Sequence, residues 1–245
     1  KVMKKQDKPL ARRQADRPVE PRSDAGAVDA FLRQAKALRT VSGLAGGRLV
    51  LALDATMSRQ PTWDLACRLQ GDMFQAAGKS GKLRVQLVYF RGFGECRASK
   101  FVLDTDELTR LMTRIDCRGG RTQIGKVLSH ALKETELEKI DALVFIGDAM
   151  EENVDELADQ AGRLGLRGVP VFVFQEGHDG AAEVALKEIA RLSRGAWFRF
   201  DRNAAGRLAE LLSSIAVYAT GGFAALEARD SAGDRLLIEH LGKKR

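Results

Sequence analysis

The stretch that decides the fold is Arg48-Leu-Val-Leu-Ala-Leu-Asp54, which continues as Ala55-Thr56-Met57-Ser58. Its five apolar residues run without the alternation of a half-exposed strand, and this is the pattern of a parallel strand covered by helices on both faces. The run ends on a carboxylate, and two hydroxyl side chains follow it at alternating positions. We therefore predict a buried strand whose carboxyl end presents Asp54, Thr56 and Ser58 on one side.

Similar apolar runs recur along the chain and alternate with helical patterns. Further strands are predicted at 83–90, 142–146, 169–174 and 196–200, with 98–103 returning beside the second strand as an edge hairpin. Helical periodicity covers 63–77, 106–115, 124–134, 154–164, 181–193, 204–218 and 234–241. The alternation predicts an α/β fold with an open, mostly parallel, doubly wound sheet and helices on both faces.

The net charge of +7 is concentrated at the two ends of the 245 residues. Residues 1–26 carry eight Lys and Arg against four Asp and Glu, and residues 243–245 are all basic. The body between them has no net charge, so it lacks the clustered basic face that nucleic-acid phosphates require. We predict a flexible basic arm at 1–26, the α/β domain at 27–222 and a C-terminal extension, partly helical, at 223–245.

Composition excludes several other classes of protein. No apolar run approaches the roughly 18 residues that a membrane-spanning helix needs, and no apolar signal segment opens the chain. Three widely spaced cysteines and three scattered histidines predict neither a zinc site nor a disulfide framework. We therefore expect a soluble, cytoplasmic protein with no membrane span and no nucleic-acid partner.

Polar side chains gather where the buried strands end, at the edge where ligands bind in open α/β sheets. Three oxygen-bearing side chains follow the first strand, and a second carboxylate follows the apolar run that ends in Ile146-Gly147. Between them, Gly119-Gly120-Arg-Thr122 opens a helix and brings a third hydroxyl toward the same edge. Such a set suits Mg²⁺ (or Mn²⁺) and leaves an octahedral position open. The predicted metal ligands are Asp54, Thr56, Ser58, Thr122 and Asp148.

Simpler structural interpretations apply to the same residues. Ser58 and Thr122 both precede helical patterns, where a hydroxyl often caps the N-terminus. The turn Arg91-Gly-Phe-Gly94 follows the second strand, and an ordinary solvated turn is a simpler interpretation than a contact with an acidic partner. Three carboxylates suit the N-terminus of the helix after the 142–146 strand, where negative charge is favourable: Glu151, Glu152 and Asp155.

The strand-end pattern D-x-[ST]-x-S, the GG-x-T before a helix and the later apolar strand ending in Asp resemble a von Willebrand factor type A (VWA) domain of the bacterial intracellular type. The resemblance spans residues 48–219 and includes that family's metal-ion-dependent adhesion site (MIDAS). Residue by residue, Asp54, Thr56 and Ser58 match the first motif, Thr122 the threonine and Asp148 the second aspartate. One departure is Thr56, because the family usually has Ser there.

The resemblance implies a fold and a function. It implies a six-stranded sheet with one antiparallel edge strand, and a Mg²⁺-class ion held partly through water. It also implies that an acidic residue of a partner protein completes the coordination of the ion. Relatives of this type often act as adaptors beside ATPases or chaperones, so a partner of that kind is expected.

Two enzyme classes compete with this interpretation. A haloacid-dehalogenase-like phosphotransferase would use Asp54 as nucleophile, but it needs a second carboxylate two residues later, where Thr56 stands. Gly120–Lys126 fits a P-loop except that Val127 replaces the Mg²⁺-binding Ser or Thr, and no strand precedes the glycines. We therefore expect a binding protein and keep the phosphotransferase as the alternative.

Overall fold

The computed structural model describes residues 46–56, 60–77, 82–200 and 205–242. All of these residues belong to one compact unit of the chain, Val41–Arg245. The predicted arm at 1–26 and the predicted ligand Ser58 lie outside the described residues.

Six strands and seven helices are present in this part of the chain. The strands are β1 (Gly47–Asp54), β2 (Leu83–Arg91), β3 (Glu95–Val102), β4 (Ala142–Gly147), β5 (Val171–Glu176) and β6 (Trp197–Phe200). The helices are α1 (Gln60–Ala77), α2 (Thr105–Met112), α3 (Ile124–Leu137), α4 (Val154–Leu166), α5 (Gly180–Leu192), α6 (Ala205–Arg229) and α7 (Ala232–Gly242).

The strands form one sheet in the order β3-β2-β1-β4-β5-β6. Every pair is parallel except β2 with β3, which is an antiparallel hairpin at the sheet edge. The chain moves outward from β1 on one side as far as β3, then crosses back to β4 on the other side. The strand order therefore reverses between β1 and β4, which is where open α/β sheets bind ligands. The predicted fold class is confirmed.

Helices cover both faces of the sheet, and β1 is buried along its whole length. Leu49, Leu51 and Leu53 face one core, to which α1, α2, α6 and α7 contribute their apolar side chains. Val50 and Ala52 face the other core, built with α3, α4 and α5. The unbroken apolar run of β1 is thus explained, because alternate residues enter different cores.

The C-terminal helices extend the first of these cores. Helix α6 is longer than the predicted 204–218 segment and has a kink at Gly222, whose φ of 65° leaves the helical region. Beyond it, Leu226 and the α7 residues Leu237 and Leu241 are buried in the same cluster as the sheet. The kink coincides with the predicted boundary at 222, while the division into domains stays a prediction.

One described helix, α6, is long and apolar enough to cross a membrane by length and composition. This differs from the sequence analysis, which found no sufficiently apolar run, because the apolar residues of α6 are interspersed with small polar ones. Half of its most apolar window is buried inside the protein, where the helix packs against α1 and β1. A core helix of a soluble protein meets the same criteria.

Candidate metal centre

The carboxyl ends of β1 and β4 place Asp54 and Asp148 on neighbouring strands. Leu53 pairs with Ile146, so Asp54 lies beside Gly147 and Asp148 follows directly. A Cβ on Gly147 would lie 3.8 Å from the Cβ of Asp54 and 2.9 Å from the Phe145 ring. A side chain at position 147 would have to displace that ring. The residue before Asp148 therefore leaves space beside Asp54.

Hydrogen bonds fix the backbone that follows β1. The Asp54 carboxylate, 4% exposed, accepts a hydrogen bond from the Thr56 N–H at 2.8 Å. The Ala55 N–H donates to the Phe90 carbonyl at 2.9 Å, and the Ala55 carbonyl accepts from the Arg118 N–H at 3.0 Å. The start of the predicted D-x-[ST]-x-S motif is therefore held against β2 and against the segment that leads to Thr122.

Thr122 is buried and bonded to the loop after β4. Its Oγ1 accepts a hydrogen bond from the Glu151 N–H at 3.1 Å, three residues beyond Asp148. The N-cap of α3 is Gln123, which makes no side-chain cap. Thr122 is therefore not the helix cap that its position suggested, and its hydroxyl belongs to the edge that carries Asp148.

The cap of α3 comes instead from Glu152. Its two carboxylate oxygens accept hydrogen bonds from the N–H groups of Ile124 at 2.5 Å and Gly125 at 2.9 Å. The interpretation of Glu152 as a cap of the helix that follows it, α4, is therefore wrong, because Asn153 caps α4 by accepting a hydrogen bond from the Asp155 N–H. A carboxylate at a helix N-terminus is stabilised by the helix dipole and by the charged hydrogen bonds.

The turn between β2 and β3 is docked on the segment before Thr122. The Arg121 N–H donates to the Gly92 carbonyl at 3.0 Å, and a Cβ at Gly120 would overlap the Gly92 backbone. Gln123 Nε2 donates to the carbonyls of Arg91 and Glu95, and Lys126 Nζ donates to that of Gly94. The turn is therefore held at this edge by its backbone carbonyls, although its tip is exposed to solvent.

The donor chemistry at this edge fits a hard divalent cation. Two aspartates supply the negative charge, and Thr56 and Thr122 supply neutral hydroxyls. Across the described ranges, no three His, Cys, Asp or Glu side chains come together in an arrangement able to hold a metal ion. Glu176, buried at the end of β5, is thus not a third carboxylate of such a group. An ion here would rely on hydroxyl and water oxygens besides Asp54 and Asp148.

Two neighbouring cavities lie behind the edge, beside α3. One of 430 Å³ separates α3 from α4 and is lined by Lys126, His130 and Glu152 among others. The second, of 140 Å³, opens toward β3 beside Cys96 and shares Lys126 and His130. Burial lowers the pKa of His130 and raises that of the Cys96 thiol. The thiol is therefore protonated and unreactive near neutral pH, which argues against nucleophilic chemistry there.

Comparisons with known proteins identify the fold. No protein-family model matches the sequence, and no curated protein matches it. Solved structures do match: a von Willebrand factor type A protein from Catenulispora acidiphila has a TM-score of 0.56 at 15% identity, covering 72% of this chain and 43% of that one. Proximal thread matrix protein 1 from the mussel byssus, with a zinc-occupied MIDAS motif, has a TM-score of 0.57 at 16% identity, covering 76% of this chain and 52% of that one.

A third similar structure is an aerotolerance-related membrane protein from Bacteroides fragilis, with a TM-score of 0.53 at 20% identity, covering 69% of this chain and all of that one. This chain therefore has the VWA fold. It spans about half the length of the Catenulispora and mussel proteins. At such low identities the matches establish architecture, while the individual ligand residues stay a prediction.

Proposed function

We propose that this chain of VWA fold is a metal-dependent protein-interaction domain. A Mg²⁺-class ion would be held by Asp54, Thr56, Ser58, Thr122 and Asp148, and an acidic residue of a partner protein would complete its coordination. The observation that supports the proposal is that Asp54 and Asp148 follow neighbouring strands where the strand order reverses, with the Thr122 hydroxyl bonded to the loop after Asp148.

The protein contributes placement and charge to this function. Asp54 is buried, and the Thr56 N–H bonded to one of its carboxylate oxygens restrains the orientation of the carboxylate. Thr122 is oriented by its bond to the Glu151 N–H. A bound divalent ion would supply the positive charge that attracts a partner carboxylate. Because the two aspartates already balance the formal charge of the ion, the partner's acid would be held by direct coordination at the open position of the ion and not by a net positive charge of the site.

The zinc-occupied MIDAS of the mussel protein supports divalent-metal binding in this fold. Mg²⁺ is our proposal for this chain, because oxygen donors without His or Cys favour a hard cation over zinc. We further propose that the chain acts as an adaptor for an ATPase or chaperone system in the cytoplasm, on the resemblance of its motifs to bacterial intracellular relatives.

Calorimetric titration with Mg²⁺ and with Mn²⁺ tests the proposed ion. We expect the wild type to bind at millimolar levels or tighter and Asp54→Ala to lose binding, since it removes one of only two carboxylates. The far-UV circular dichroism spectrum of the variant should stay close to that of the wild type.

The matched control is Asp116→Ala, which removes an exposed carboxylate from the segment between α2 and Thr122. It should bind both ions as the wild type does. Absence of binding heat in the wild type, or equal loss in both variants, contradicts the proposal.

A further inference from the structure

The β2–β3 turn presents a large apolar side chain to solvent. Phe93 is 86% exposed, although the residues on either side of it are tied to the protein through the carbonyls of Gly92 and Gly94. Exposing a phenyl ring on a fixed backbone gains nothing for folding. The same fixation makes the ring available for binding with little loss of conformational entropy.

Two exposed arginines lie in the segment that packs against this turn. The Arg121 N–H bonds to the Gly92 carbonyl, and the Arg118 N–H bonds to the carbonyl of Ala55, next to Asp54. Both backbones are therefore fixed between the turn and the candidate metal ligands. Within the described part of the chain, neither guanidinium takes part in a salt bridge or a side-chain hydrogen bond.

Other basic side chains at this edge already have hydrogen-bond partners within the protein. Arg91 pairs with Glu95 at 2.9 Å, an interaction that raises the pKa of Arg91 and lowers that of Glu95. Lys126 Nζ donates to the Gly94 carbonyl and to Gln123 Oε1. Arg118 and Arg121 thus differ from their neighbours in keeping their hydrogen-bond donors available to a ligand.

We propose that Phe93, Arg118 and Arg121, named here the recognition rim, form a docking surface for an acidic–apolar segment of a partner protein. The segment would carry one carboxylate for the metal, further carboxylates for the two guanidinium groups and an apolar side chain against Phe93. This inference rests on the proposed function, because the metal position orients the segment. Beyond the proposed function, it specifies which kinds of residue the partner segment must contain.

Charge complementarity favours an acidic segment as the ligand of this surface. Arg guanidinium pairs bidentately with carboxylates, and such charged pairs are stronger than neutral hydrogen bonds. A nucleic acid is disfavoured, because the chain between residues 27 and 242 has no net charge and a phosphate backbone needs a longer row of cations. An isolated exposed Phe needs no functional explanation, but Phe93 lies in a turn that is hydrogen-bonded to the segment of Arg118 and Arg121, whose guanidinium groups have no partner among the described residues.

Selection of random peptides on the full chain, in the presence of Mg²⁺, tests the recognition rim. One selected peptide, made synthetically with a fluorescent label, is then titrated by anisotropy at low and moderate salt, with Mg²⁺ and with EDTA. The variants are Phe93→Ala and the double Arg118→Gln/Arg121→Gln. The controls are Leu137→Ala, which removes a similarly exposed apolar side chain (83%), and Arg68→Gln on α1.

We expect the selected peptides to be rich in Asp and Glu next to an apolar residue. Each rim variant should weaken peptide binding about tenfold, and the double variant should also reduce its salt dependence. The controls should bind as the wild type does. Calorimetric Mg²⁺ affinity should be the same in the wild type and the rim variants, because none of the three residues is a predicted ligand.

The outcomes separate the two proposals. Selected peptides without carboxylates, or rim variants that bind as the controls do, overturn the recognition rim even when Mg²⁺ binds normally. A wild type that gives no heat with Mg²⁺ overturns the proposed function. Peptide binding that still depends on Phe93 and the two arginines would in that case uphold the docking surface.

Discussion

Glu152 links two parts of the candidate metal centre through a single carboxylate. It lies in the loop after β4, four residues from Asp148, and caps the helix that begins two residues after Thr122. The neighbouring bond from the Glu151 N–H to Thr122 joins the same two segments. The relative position of Thr122 and Asp148 therefore depends on the Glu152 side chain and on the Glu151 backbone, although neither residue is a predicted ligand.

Replacing Glu152 with Gln should destabilise the protein by about 1–2 kcal/mol, because it removes the charge at the N-terminus of α3 and one of two accepting oxygens. The measurement is the midpoint of urea unfolding. The control is Glu151→Gln, whose exposed side chain caps no helix. Equal midpoints for the two variants would mean that the cap contributes nothing to stability.

At the scale of elements, the β2–β3 turn and the segment before α3 approach each other most closely at two glycines. A Cβ at Gly120 would overlap the backbone of Gly92, whereas one at Gly119 would meet nothing within 4 Å. The approach brings the Arg121 N–H within reach of the Gly92 carbonyl. Of the two glycines before Thr122, only Gly120 is needed for close packing, and the sequence alone does not tell them apart.

Gly120→Ala should cost about 2 kcal/mol or more, because a methyl group would push the turn off the segment that leads to Thr122. Gly119→Ala, one residue earlier, should leave stability nearly unchanged. Thermal unfolding of both variants measures the difference. A Gly120→Ala protein as stable as its control would show that the turn yields without cost.

The sequence predicted the sheet better than the site, for a physical reason. The run at 48–54 must enter two cores, so hydrophobicity alone places β1, and Asp54 follows at its end. The docking of Gly120 on Gly92 and the cap that Glu152 gives to α3 join residues 28 apart in sequence. Such contacts depend on tertiary packing, and no local pattern indicates them.

At the scale of the whole molecule, the described residues do not supply the groups that either alternative enzyme class, the P-loop protein or the phosphotransferase, would need. Val127, where a P-loop has its metal-binding hydroxyl, is fully buried in the core under α3. Lys126 faces the β2–β3 turn through its bond to the Gly94 carbonyl. Thr56 occupies the position in which a haloacid-dehalogenase-like phosphotransferase needs a carboxylate.

We therefore expect no Mg²⁺-dependent hydrolysis of ATP or of an aryl phosphate above the background rate. Release of phosphate is the measurement, with Asp54→Asn as the comparison that would remove a true aspartyl nucleophile while keeping its shape. Hydrolysis by the wild type that disappears in Asp54→Asn would support the phosphotransferase.

The reversed direction of β3 has a consequence for how this architecture can diversify. A hairpin leaves a three-residue turn at the carboxyl end of β2, where a parallel neighbour would require a crossover connection. Substituting Phe93 alone would change what a partner meets, while Gly92, with its φ of 62°, keeps the turn docked and leaves the strand register and the ion ligands in place. The choice of partner and the binding of the ion can thus be altered separately, because different residues of the same fold carry them.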